Sequence, residues 1–122
     1  MIQEKLIREE ILQHKELNDI NVEELFRFLD KYKKENIIYV SCLQRKFPYV
    51  SKDKIDLLFN IFFKTGFVTK VSSYHCPVCN HNHLLKSEEL RNIKEYEEFS
   101  CDYCGEDTPY NEKYLHFEYK IV

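Results

Sequence analysis

The chain has 122 residues, a formal net charge of −3, and 43 % hydrophobic and 15 % aromatic residues. That apolar content is enough for a real core and excludes a disordered chain, and the length fits one medium domain or two small ones. Two Gly and three Pro leave no stretch that reads as a flexible linker, and no apolar run approaches the roughly 18 residues of a membrane span.

The first residues, Met1 to Glu10, carry charges throughout and no apolar signal-peptide core, so a cytoplasmic protein is expected. Ile2, Leu6, Ile7 and Ile11 recur at helical spacing and predict an amphipathic helix over 2–16. Asn21 is a good N-cap, with Glu24 as its capping-box partner, and opens a second helix to about Lys34. Leu25, Phe26, Leu29 and Tyr32 form its buried stripe. Ile37–Val40 reads as a brief strand or the lead into a helix, and Val40–Lys46 as a short helix stopped by Pro48. Ser51 caps a helix over about Lys52–Thr65, with Gly66 at the left-handed position after it. The series Phe59, Phe62, Phe63 and Phe67 at that spacing reads as core. Phe67–Tyr74 alternates and predicts a strand. Leu84-Leu85 begins a return strand, and Ser87 caps a short helical or irregular segment through Glu98. Tyr114–Val122 alternates cleanly, with Leu115, Phe117, Tyr119 and Ile121 on one face.

Cysteine spacing carries the most chemistry. Cys76-Pro77-Val78-Cys79 and Cys101-Asp102-Tyr103-Cys104 are two C-x2-C pairs. Each lets two thiolates converge from one tight turn, and two such turns complete a tetrahedral S4 site. The expectation is one structural Zn2+ per chain on Cys76, Cys79, Cys101 and Cys104. A closed four-thiolate site has no open position for substrate, so the metal builds a fold. His75, His81, His83 and His116 crowd this region; they read as exposed loop histidines, although His81 or His83 could replace a thiolate. The string His81-Asn82-His83 does not make an H-N-H nuclease, which spreads its three residues over a hairpin and helix. Cys42 reads as a small buried hydrophobe.

The element order and the cysteines together resemble the general transcription initiation factor E family over residues 20–122. The zinc-ribbon part rests on the four cysteines, and the winged-helix part on helix order and Ser51-to-Gly66. The resemblance implies an α+β chain, with an N-terminal winged-helix (helix-turn-helix) domain over 1–73 and a small ribbon of antiparallel strands over 74–122.

Charge divides unevenly, at net +2 over residues 1–70 and −5 over 71–122. Residues 31–54 alone reach +5. If the winged helix binds DNA, Lys52, Lys54 and Lys64 on its last helix meet the duplex, and Arg45 and Lys46 reach flanking phosphates. Residues 70–74, the expected wing, carry just Lys70, where a phosphate-gripping wing wants several cations. No phosphate loop, nucleophile elbow or paired acid–base carboxylates occur, so neither an enzyme nor a small-molecule substrate is expected. The favoured reading is a non-enzymatic zinc-binding adaptor or accessory subunit; the stripe of Ile2, Leu6, Ile7 and Ile11 either folds back on its own domain or joins the chain to another protein or a second copy. The alternative is a DNA-binding transcriptional regulator.

Overall fold

The computed structural model describes residues 3–122. Along the chain lie α1 (Glu4–Leu12), α2 (Val22–Leu29), β1 (Ile37–Ile38), α3 (Val40–Lys46), α4 (Lys52–Lys64), β2 (Val68–His75), β3 (Asn82–Leu85), α5 (Ser87–Tyr96), β4 (Glu98–Ser100), β5 (Asp107–Pro109) and β6 (Leu115–Ile121). Short 3-10 turns at Lys15–Leu17 and Glu112–Tyr114 complete the set. The class is α+β with antiparallel strand pairs, in sheets of order β1-β6-β2-β3 and β4-β5. No helix among the described residues is long and apolar enough to cross a membrane.

The chain forms two compact units. The first runs to Lys70 and takes back Tyr119–Val122; the second is Val71–Glu118. A division at 73/74 with everything beyond it in one ribbon is therefore corrected at the C-terminus. The end of β6 pairs with β1, Ile37 opposite Lys120 and Ile38 opposite Tyr119. The Tyr119 ring stacks on Phe59 at 4.4 Å, and Val122 N–H reaches the Phe67 carbonyl at 3.1 Å.

In the first unit, Asn21 Oδ1 accepts the Glu24 N–H at 3.1 Å and Ser51 Oγ that of Lys54 at 3.4 Å, so both expected caps form. Gly66 has φ +80°, which ends α4 as its position requires. The core gathers Ile7, Ile11, Leu25, Leu29, Ile55, Phe59 and Phe62, among others. α1 packs on α4, so Ile7 and Ile11 are fully buried within their own unit. Of the two outcomes open for this stripe, Ile7 and Ile11 follow the first and pack into the chain's own core. Leu6 stays 52 % exposed, and Ile2 lies outside the described residues. α1 is also shorter than expected, because the chain turns at His14 to deliver Leu17 and Ile20 to the core. α2 stops at Leu29. Asn36 Oδ1 takes the Lys33 N–H at 2.8 Å, a local bond that competes with helix.

In the second unit, β2 pairs with β3, Ser72 opposite Leu85 through His75 opposite Asn82. Residues 70–74 are thus mid-strand, not a wing turn, because the reversal comes after His75. Tyr74 is fully buried; it packs on Phe99 at 4.4 Å, and its hydroxyl accepts the Asn111 N–H at 3.0 Å. The N-cap of α5 is Lys86 in place of Ser87, and the Glu89 carboxylate takes the Lys86 N–H at 3.1 Å. In β6, Phe117 is exposed and Glu118 buried, so the expected alternation fails there.

Candidate metal centre

Each cysteine pair is the turn of a two-stranded hairpin. Cys76 and Cys79 sit between β2 and β3, and Cys101 and Cys104 between β4 and β5. The two turns close alike. Cys76 N–H donates to the His81 carbonyl at 2.9 Å and Asn80 N–H to the Cys76 carbonyl at 3.0 Å. Cys101 N–H donates to Glu106 at 3.0 Å, and Gly105 N–H to the Cys101 carbonyl at 2.9 Å. Asn80 (φ +66°) and Gly105 (φ +73°) hold equivalent left-handed positions, which Asn and Gly tolerate best.

The turns bring all four sulfurs within 4.8 Å of one another. Cys76 Sγ lies 3.8 Å from Cys104 Sγ, and Cys79 Sγ 3.5 Å from Cys101 Sγ. Sulfurs about 2.3 Å from a central ion form a tetrahedron with edges of roughly 3.8 Å, so the donor set fits a four-coordinate metal. No disulfide joins these cysteines. Backbone N–H groups aim at the sulfurs. Those of Cys79, chiefly, and Val78 bring the Cys76 thiol down to about 7. The Glu106 N–H acts the same way on Cys104, but burial and the three neighbouring sulfurs outweigh it and push that thiol up to about 12. The His81 N–H likewise favours the Cys79 thiolate, and burial with the Cys101 and Cys76 sulfurs still raises that thiol. Four thiols this close cannot all ionise against each other; a bound cation removes that obstacle.

The sequence reads the histidines as exposed loop residues; His81 is exposed, yet it and His83 each stand against a sulfur. His81 Nδ1 lies 3.3 Å from Cys79 Sγ, and His83 Nε2 lies 3.3 Å from Cys101 Sγ. The His75 ring nitrogens sit 2.9 Å from Asn82 Oδ1 and 3.1 Å from Asn80 Oδ1, which braces the first turn. His116 faces the buried Glu118 at 3.8 Å, away from the cysteines' hydrogen bonds. The available signal was strand alternation: His81 and His83 stand two apart directly after a turn that carries ligands.

Three of the five cations considered for phosphate contact face carboxylates of their own unit. Lys46 Nζ pairs with Glu24 at 3.3 Å, Lys54 Nζ with Asp19 at 3.1 Å, and Lys64 Nζ with Glu10 at 3.2 Å. Arg45 donates to Cys42 Sγ at 3.5 Å, and Lys52 is exposed. The second unit holds four basic and ten acidic residues, net −6. Comparison with protein-family models, with curated proteins and with solved structures yields no match.

Proposed function

We propose that this protein is a non-enzymatic, zinc-stabilised interaction subunit acting in the cytoplasm, where thiols stay reduced and available to metal. Zinc is the ion of choice for a closed S4 set of two C-x2-C turns. The residues that hold it are Cys76, Cys79, Cys101 and Cys104, and the ion supplies cross-linking between the two hairpins. We read the first unit as a winged helix. The order β1, α3, α4, β2, with β6 set between β1 and β2, supports this. In that reading the zinc ribbon is inserted where the wing hairpin would turn. The resemblance to the general transcription initiation factor E family then extends to the pair of modules. The first unit still precedes the second, with only Tyr119–Val122 returning to it.

One observation carries the choice of partner class. Three of the five cations best suited to phosphates, Lys46, Lys54 and Lys64, already face carboxylates of their own unit. A DNA-binding surface keeps such charges free for counterion release. Fluorescence anisotropy on duplex DNA of random sequence is the test. Absent or salt-suppressed micromolar binding is expected. Nanomolar, sequence-selective binding at roughly physiological salt would promote the DNA-binding reading. The positive arm is capture of one reproducible protein partner by zinc-loaded bait, with capture lost on chelation.

A further inference from the structure

We propose that His81 and His83 are positioning residues of the metal centre, whose ring N–H groups bond the sulfurs of Cys79 and Cys101 and make those thiolates less reactive and slower to release metal. The inference rests on reading the four cysteines as a metal site. Both contacts, at 3.3 Å, are within hydrogen-bond range of sulfur. Cys79 and Cys101 come from different turns and are 3.5 Å apart, so the two histidines brace an edge that joins the hairpins.

Three further contacts fix the rings. His81 stacks on Tyr103 with centroids 4.2 Å apart and planes 4° from parallel. His83 leans on the same Tyr103 at 5.1 Å and meets Phe99 edge-on at 5.1 Å. Tyr103 lies inside the second cysteine turn, whereas both histidines follow the first. The ring stack therefore ties the turns together independently of the sulfurs.

The chemistry sets the tautomers. A metal-bound thiolate can only accept, so the nitrogen facing it must carry the hydrogen. His81 is then the Nδ1–H form and His83 the Nε2–H form with respect to those sulfurs. Each bond withdraws charge from a sulfur, which lowers its nucleophilicity and its tendency to be pulled off the metal. Partners of this kind around metal ligands change affinity by about 10–100-fold when removed.

The test uses the full chain loaded with zinc or cobalt(II). His81→Phe and His83→Phe keep an aromatic ring and lose the donor. His81→Asn and His83→Gln return an N–H close to the lost nitrogen. The Phe variants should bind one metal, shift the sulfur-to-cobalt charge-transfer bands to lower energy, and react faster with iodoacetamide by about tenfold. Peptide mapping should place the added alkylation at Cys79 and Cys101 respectively, and the Asn and Gln variants should revert towards wild type. Unchanged bands and rates would overturn the proposal, leaving the histidines as packing groups. Ligand-field bands that show a nitrogen ligand in wild type, lost in a Phe variant, would also overturn it by making that histidine a ligand. A measurement without mutation covers variants that fail to fold. In cadmium-113-loaded wild type, the two ring N–H protons should show coupling to the metal through the sulfur, and its absence counts against the proposal. If wild type binds no stoichiometric metal, the metal reading itself fails, a result separate from all of these.

Discussion

Removing the metal should unfold the second unit and spare most of the first. The second unit's buried hydrophobic cluster is Tyr74, Cys76, Phe99 and Cys101, and two of these belong to the cysteine set placed to hold a metal. Burying an aromatic side chain contributes about 3 kcal/mol at most. A structural zinc contributes on the order of 10–16 kcal/mol of apparent binding free energy near pH 7. A whole domain commonly has about 5–15 kcal/mol of stability, so the metal outweighs the aromatic core that remains. Among the helices, α5 supplies 10 residues against 9, 8, 7 and 13 in α1 to α4. Chelation should therefore remove about a fifth of the helical ellipticity, and zinc should restore it. A second effect follows from connectivity. With Val71–Glu118 unfolded, Tyr119–Val122 can stay on the first unit only by closing a 48-residue loop. That closure costs roughly 3 kcal/mol. At about 4–8 °C per kcal/mol for a domain of this size, the first unit's melting temperature should fall by roughly 12–24 °C. Far-UV circular dichroism and thermal melts, with and without chelator, measure both. Loss of nearly all helicity would show a single cooperative unit. No loss would show that the cysteines hold no folding metal.

Metal retention should fall steeply with acid. Cys79 and Cys104, raised in the absence of metal, take up a proton each on release, and Cys76 adds a third below about pH 7. Protons compete with the cation for the thiolates, so apparent affinity rises with pH and is lost as pH drops. The expected decline is at least about 100-fold per pH unit above 7 and about 1,000-fold below. A dye-binding zinc assay that finds affinity flat between pH 8 and 6 would contradict thiolate ligation. Gly66→Ala should destabilise the first unit by about 1–2 kcal/mol. A Cβ there meets nothing within 4 Å, so the whole effect is the left-handed backbone at φ +80°. A melt unchanged within error would mean that the α4 terminus relaxes freely.

The first unit was legible where the signals were local. Asn21, Ser51 and Gly66 act within one turn of helix, so their side chains or backbone freedom fix the boundaries whatever surrounds them. What the sequence left open depends on interactions distant in sequence. Ile7 and Ile11 make the same stripe whether they meet α4 or another protein, and only the packing of α1 on α4 decides between the two. The return of Tyr119–Val122 to β1 was equally hidden, because alternation identifies a strand and is silent about its neighbour.

At the cysteine cluster the convergence of the four thiols was legible and their environment was not, for a physical reason. Two thiolates on one ion constrain the spacing within each turn, so C-x2-C leaves a trace in sequence. A hydrogen bond to a sulfur requires only that a donor arrive nearby in space, by any route along the chain. His83 reaches Cys101 across 18 positions, and His81 meets Tyr103 across 22. Neither separation is a motif. The two-residue spacing of His81 and His83 after the first turn hints at a shared face, and the register Tyr74 opposite His83 is what places β3 beside that turn. The same logic holds for charge. The run from 31 to 54 reads equally as a solvated face or a phosphate-binding surface; Asp19 and Glu24 stand against its Lys54 and Lys46, and Glu10 stands against Lys64 beyond it. Surface ion pairs of this kind add little stability, about 0–1 kcal/mol each. Their effect here is on availability. A lysine that leaves its carboxylate for a phosphate leaves an unpaired anion beside the DNA, which offsets the gain.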